Sequence, residues 1–450
     1  VLADFLLFIL SLRSSWLSVF RTFGLSDYFR TMPFKDVIGQ PETKQQLAEL
    51  VNNNRLSHAL LFLGREGSGV LSLALAFAQY VVCETVNGKA TASLGPSLFG
   101  EPAAEGLTHA SRLTTDACGT CAPCTKAQKL VHPDIHFSYP VVSKKSGDKA
   151  VSTDYISEWR EFIQQYPYGN VYDWLQFIGA ENKQGNISVH ECNDIIHKLN
   201  LKSFESEYKI LVMWMPEYLG NEGNKLLKLI EEPPPNTLFI LVAENESLIL
   251  PTILSRCQLV KVPALTATDI TGSLVERAKV APDRARQVAS ISEGNYREAL
   301  QLLQHAEEDW QDLLRDWLNA TLKTGPTAQV KWIEEISKLG REKQKQFLRY
   351  FNHLLEQSIR LRVMGEPVNH NGLVGGDTNQ GDTGGMPDKE RDFALRLNKL
   401  AGLEQQQAII EELDKATYYI ERNCHAKMLF HALTIKLYHI IADKSLILVS

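Results

Sequence analysis

Two rhythms divide the chain. Up to Pro263, short continuous apolar runs (Ala59–Leu63, Tyr208–Met215, Thr237–Glu244, Gln258–Pro263) alternate with stretches whose apolar residues recur every three or four positions. Unbroken apolar runs of this length, bounded by turn residues, read as strands buried on both faces. "DIHFSYPVV" (134–142) is a further strand candidate. Helical spacing is visible in Leu47, Leu50 and Val51, over Val70–Val82, and over 155–200, where Trp159, Phe162 and Ile163 and then Ile195, Ile196 and Leu199 mark apolar faces. "NKLLKLIEE" (224–232) is a helix stopped by the prolines at 233–235, and "LILPTILSRC" (248–257) contains a short one. Strands alternating with helices predict an α/β domain with a parallel sheet covered on both faces. Beyond Pro263 only the helical period remains. Three short helices are expected over 266–304, and long amphipathic ones over 307–363 and 389–446. Residues 85–117 read as an inserted loop, Ser143–Asp154 as a polar loop, and the Gly-rich stretch 365–388 as a mobile one.

Composition narrows this. The 450 residues allow two to four domains, and 44% hydrophobic with 22% charged residues is an ordinary globular balance. A net charge of −6 argues against nucleic-acid affinity spread over the whole surface. No apolar run of about 18 residues appears, so no membrane-spanning helix is expected. Residues 1–31 precede "MPFKDVIGQ"; the short apolar run Phe5–Leu12 follows Asp4, where a signal peptide carries positive charge. The preferred reading is an extension upstream of a natural start at Met32; a weak signal or interfacial helix is the alternative. Seven cysteines, three of them in "CGTCAPC", suit a metal site in a reducing cytoplasm better than a disulfide framework.

Chemistry concentrates at four places. "LFLGREGSGVLSLALAFA" (61–78) is a strand, a glycine-rich turn and a helix, the construction of a phosphate-binding loop. Gly64, Gly67 and Gly69 preserve the turn. Val70 and Leu71 stand where lysine would neutralise phosphate and a hydroxyl would hold Mg²⁺. By itself the segment is equally an ordinary strand–turn–helix. The strand "LVMWMPE" places Met213 and Trp214 where ATPases of this architecture carry acidic residues, with Glu217 poorly placed to substitute. Two apolar replacements predict a site that cannot hydrolyse nucleotide. Cys118, Cys121 and Cys124 form C-x₂-C-x₂-C, a structural zinc pattern, although an iron–sulfur cluster fits the same spacing. The fourth ligand is Cys83, His132 or His136. Finally, Arg256 of "SRC" is either an arginine presented to an adjoining subunit or a surface ion pair. Arg297 of "EGNYREAL" can point at a phosphate or serve only structure, and Lys225 and Lys228 either face a nucleic-acid backbone or, the preferred reading, form a solvated face.

Together these segments resemble the AAA+ clamp-loader subunits of bacterial DNA polymerase III, and within them the delta-prime branch. The likeness rests on "DVIGQ", "RLSHALLFLGREGSG", "CGTCAPC" with "HPDI", "NKLLKLIEEPPPNTLFILVAE", "LPTILSRC" and "EGNYREAL", in family order over 32–304. It implies an AAA+ P-loop NTPase-like domain at 32–264 with a zinc module at 83–124, a helical lid at 265–306 and an all-α oligomerisation collar at 307–450. It implies Zn²⁺ on Cys83, Cys118, Cys121 and Cys124, although the Cys83–Cys118 gap exceeds the family's. Arg256 would act in trans on ATP held by a neighbour. Gly64, Gly67, Gly69 and Arg297 would form a degenerate site with weak or no ATP binding. The implied partners are gamma/tau-type ATPase subunits and a clamp-opening delta subunit in a hetero-pentamer, with the sliding clamp and primed DNA reached through the complex, in the cytoplasm and without membrane. Two rival functions are an active motor ATPase and a zinc-dependent nucleic-acid-binding module. The stretches 85–117, 143–186 and 365–388 are extra to the family pattern, without an assigned role.

Overall fold

The computed structural model describes residues 33–87, 114–144, 149–180, 183–304, 310–364, 388–421 and 424–442. The N-terminal stretch 1–31, most of 85–117 and nearly all of 365–388 lie outside the described residues, as do the readings made of them.

Five strands, β1 (Ala59–Gly64), β2 (Ile135–Ser138), β3 (Lys209–Trp214), β4 (Thr237–Ala243) and β5 (Gln258–Val262), form one sheet in the order β2-β3-β4-β1-β5. Every neighbouring pair is parallel. β3 and β4 are buried at all positions, which is why their sequences show no alternation. The edge strand β5 does alternate at its end, with Val260 and Val262 inward and Lys261 outward. β2 is shorter than its apolar run suggests. Pro140 has no N–H to give the ladder, and Val141 leaves to bridge Asn186 in antiparallel fashion.

Helices cover the sheet. α1 (Pro41–Asn52) starts with proline at its first position, where the missing N–H costs nothing. α2 (Val70–Val82) is buried along its whole length, as its all-round apolar sequence demands. α3 (Ala122–Gln128) precedes β2. Between β2 and β3 come α4 (Ile156–Gln165), α5 (Val171–Phe177) and α6 (Val189–Asn200). Asn170 and Asp173 cap α5 reciprocally, and Ser188 caps α6. The expected helix at 224–232 is instead a 3₁₀ stretch, Pro216–Leu226, running into a short α7 (Leu227–Glu231) before the prolines. α8 (Pro251–Leu254), α9 (Ala267–Glu276), α10 (Pro282–Ile291) and α11 (Tyr296–Gln304) follow.

The chain divides into two compact units. The first runs to Ala285 and includes Ser292–Ala299; the second comprises Arg286–Ile291 and Leu300 onward. The regular elements of the second unit are all helices among the described residues: α12 (Trp310–Asn319), α13 (Pro326–Lys338), α14 (Arg341–Met364), α15 (Asp388–Leu400), α16 (Leu403–Glu421) and α17 (Ala426–Ile441). Its core centres on Trp317 and Trp332, stacked at 4.7 Å, with Phe347 and Phe430 packed around them. Trp317 donates its indole N–H to Thr434 at 3.0 Å, so the ring is buried without an orphaned donor. No helix among the described residues is long and apolar enough to cross a membrane.

Candidate functional site

The glycine loop leaves β1 at Gly64 and enters α2 at Val70. Gly67 (φ +71°) and Gly69 (φ +81°) take the left-handed conformation that residues with a Cβ resist. In a phosphate loop such glycines let backbone N–H groups approach an anion. Here the approach is already taken by the chain itself. A Cβ on Gly69 would stand 2.6 Å from the ring of Tyr168, and one on Gly67 would run into the side chain of Asn295. Residues 67–71 are buried.

The covering residues come from the stretch between β2 and β3 and from the start of α11. Tyr168 lies between α4 and α5. Its hydroxyl accepts the N–H of Ile38 at 3.0 Å, and its ring meets Tyr296 edge-on at 5.0 Å. Burial pushes the Tyr168 phenol up to about 12, so it stays neutral. Ser72, the first hydroxyl of α2, donates to the carbonyl of Pro167 at 2.7 Å. Arg297 faces carboxylates. It grips Asp173 through Nε and Nη2 (Nη2–Oδ1 2.6 Å) and donates from Nη1 to Glu66 Oε1 at 3.0 Å. Its side chain is 5% exposed. Asn295 also donates to Glu66, and the N–H of Tyr296 bonds the Gly67 carbonyl at 3.2 Å. A buried guanidinium held by two carboxylates is a closed ion-pair network, and a third anion brought there meets two like charges.

The end of β3 explains how this cover is seated. Met213 and Trp214 are buried, and Trp214 packs on Trp159 at 5.3 Å and on Phe162 at 6.1 Å. Trp174 stands edge-on to Trp159 at 5.4 Å, Tyr139 stacks on Trp159 at 4.0 Å, and the Trp174 indole donates to the Pro140 carbonyl at 2.7 Å. Trp214 is thus the floor on which α4 and α5 rest, while Met213 faces the other side of the sheet and packs with Ile195 and Leu229. Glu217 is occupied elsewhere: its Oε1 accepts the N–H groups of Glu244 (2.7 Å) and Asn245 (2.9 Å) at the end of β4, and burial pushes its carboxyl up. The stretch 143–186, to which sequence reasoning assigned no role, supplies Tyr168 and Asp173. The only local signal was its density of aromatic residues.

Arg256 follows α8 in a half-exposed position. It pairs with Glu231 and donates to the Thr252 carbonyl at 2.6 Å. Lys225 and Lys228 are exposed.

The four sequence-predicted cysteines converge. The sulfurs of Cys83, Cys118, Cys121 and Cys124 all lie within 4.8 Å of one another, although Cys83 stands 35 residues before Cys118 in the chain. Tetrahedral coordination at ~2.3 Å implies sulfur pairs about 3.8 Å apart, and Cys118 and Cys124 are separated by 3.9 Å. Cys83 caps the end of α2 and Cys121 caps the start of α3. Gly119 (φ +74°) turns the chain between Cys118 and Cys121. The N–H of Cys118 donates to Cys83 Sγ and that of Cys121 to Cys118 Sγ, both at 3.4 Å, the local support that thiolates need. The hydrogen bond between Cys124 and Cys83 draws the Cys83 thiol down and pushes Cys124 up. The group can therefore hold a soft cation. Neither histidine belongs to it. His132 accepts the N–H of Asp134 at Nδ1 (3.1 Å) and meets Ser206 and Glu205 at Nε2 (3.2 Å each), and burial keeps it neutral.

A family model described as "DNA polymerase III, delta subunit" matches residues 39–97 and 97–266, just over half of the chain. The chain is 26% identical over 336 residues to DNA polymerase III subunit tau of Bacillus subtilis, covering 73% of this chain and 47% of that protein. It is also 26% identical over 268 residues to DNA polymerase III subunit delta' of the same organism, covering 60% of each. It thus spans about half to three fifths of these relatives. A solved gamma subunit-related protein of Thermotoga maritima covers 88% of this chain and 99% of its own length at 14% identity, with a TM-score of 0.34.

Proposed function

We propose that this chain, which belongs to the DNA polymerase III delta-subunit family, serves as a delta-prime-type AAA+ subunit of a clamp loader that does not itself hydrolyse ATP. The observation that carries the reading is the filled glycine loop. Its lysine and hydroxyl positions are Val70 and Leu71, and Tyr168, Asn295 and the Arg297 ion pairs stand over its glycines. A site without a charge clamp, a metal ligand or a water-activating carboxylate lacks groups that each account for orders of magnitude in rate. The chain would then contribute to an assembly: with gamma/tau-type ATPase subunits and a clamp-opening delta-type subunit it helps place a sliding clamp on primed DNA, in the cytoplasm. Its own chemical contribution is Arg256, offered to ATP bound by the adjoining subunit. Zn²⁺ on the four cysteines is structural, since four thiolates leave no open coordination position.

The similarity to a tau subunit favours one competing reading, a motor ATPase. Equilibrium binding separates the two. Titrating the isolated protein with ATP and Mg²⁺ is expected to give no saturable signal. A dissociation constant tighter than about 100 µM, some 5.5 kcal/mol of binding, together with phosphate release by the isolated chain would establish the motor instead.

A further inference from the structure

The residues over the glycine loop do more than obstruct it. We infer that the Asp173 carboxylate is a built-in substitute for an anionic ligand, which engages Arg297 at the loop and thereby pins residues 295–297 to the sheet domain without nucleotide. The inference rests on the reading that this site is empty of nucleotide, and it names what took the nucleotide's place.

Three observations carry it. The pairing has the form that guanidinium uses for phosphate: two N–H groups, Nε and Nη2, on the two oxygens of one acidic group, with Nη2–Oδ1 at 2.6 Å. The pair belongs to the loop, because the same guanidinium reaches Glu66 within it at 3.0 Å, and Asn295 and Tyr296 bond Glu66 and Gly67. The carboxylate is also held in place. Asp173 accepts the N–H of Asn170 at 3.1 Å while Asn170 accepts its N–H at 3.0 Å, which fixes it in the first turn of α5. Trp174, the next residue, anchors that helix in the aromatic floor. An external ligand would have to displace a side chain tethered to the same chain, against a very high local concentration.

The test is anion-dependent stabilisation, with inorganic pyrophosphate and ATP as separate probes. Wild type, Asp173→Asn and Glu66→Gln are each melted over a range of probe concentrations. The amide introduced by Asp173→Asn retains an acceptor for the N–H of Asn170 but gives Arg297 no charge. Wild type is expected to show no dependence on either probe. Asp173→Asn should melt lower and regain stability with pyrophosphate, binding it at least about tenfold more tightly than wild type does. Adding Arg297→Gln should remove that gain. A folded Asp173→Asn protein indifferent to pyrophosphate would overturn the inference while leaving the nucleotide-free reading intact. Stabilisation of wild type by ATP would instead defeat that reading. Glu66→Gln, which leaves Asp173 on Arg297, should stay as indifferent as wild type, and a gain there would overturn the inference. Should Asp173→Asn fail to fold, Asp173→Gln, whose uncharged amide can also accept the N–H of Asn170 at this capping position, must show the gain, and its indifference would equally overturn the inference.

Discussion

Replacing Arg256 by alanine should leave this subunit folded and able to assemble, yet lower the DNA-stimulated ATPase of a reconstituted clamp loader by about 10³-fold, the scale of an arginine supplied in trans. The two halves of this expectation come from different sources. Arg256 is half-exposed, and its partner Glu231 is exposed too. A pair of that kind contributes at most about 1 kcal/mol. Its hydrogen bond to the Thr252 carbonyl is made at the surface, where water replaces it readily. The variant should therefore melt within a few degrees of wild type. On the proposed reading, a large loss of turnover in the assembly arises at a neighbour's ATP, because Val70 and Leu71 stand where the loop's lysine and hydroxyl would be. Pairing with Glu231 is also informative: an arginine held by an exposed carboxylate can be handed to a phosphate at little cost, whereas the buried Arg297 cannot. Steady-state phosphate release by the reconstituted complex, with and without primed DNA, measures the effect. Undiminished turnover would remove Arg256 from the mechanism.

The second large effect concerns the cysteines. Purified protein should carry one zinc per chain, and Cys121→Ser should carry none. Four thiols whose sulfurs lie within 4.8 Å cannot all ionise without a cation among them, and a cation that satisfies them ties the end of α2 to the start of α3. Because α2 is buried along its length, loosening its end is felt in the sheet domain rather than in an isolated loop. Loss of the metal should lower the melting temperature of that domain by roughly 5–10 °C, corresponding to a few kcal/mol at its size. Elemental analysis and thermal denaturation, with and without a chelator, read both quantities. Equal metal in wild type and variant would show that Cys121 is no ligand. Iron in place of zinc would be evident from its visible absorption.

How much of this was legible beforehand depends on the range of each interaction. The strands β1, β3 and β4 are plain in the sequence because strands buried on both faces have no choice of residue. β2 was overextended because a proline's missing donor matters only once a ladder exists to receive it. The helix expected at 224–232 begins within the 3₁₀ stretch Pro216–Leu226, where Gly220 takes a positive φ that apolar spacing does not reveal.

The site divides in the same way. Val70 and Leu71 are missing functions, and a missing lysine or hydroxyl is legible without any structure because the loop's chemistry is set by consecutive residues. Likewise C-x₂-C-x₂-C announces three ligands on one turn. The fourth could be only a choice among Cys83, His132 and His136, since it depends on which distant segment the fold delivers. Tertiary structure alone brings Cys83 in and commits His132 to Asp134 and Ser206. It alone shows that Trp214 is a floor rather than merely a lost acid, and that Tyr168 and Asp173 are carried on that floor to the glycine loop. Arg297 lies 124 residues from Asp173 and 231 from Glu66. No local pattern encodes such pairs; burial decides them, because a guanidinium taken out of water must find its carboxylates wherever the packed chain presents them.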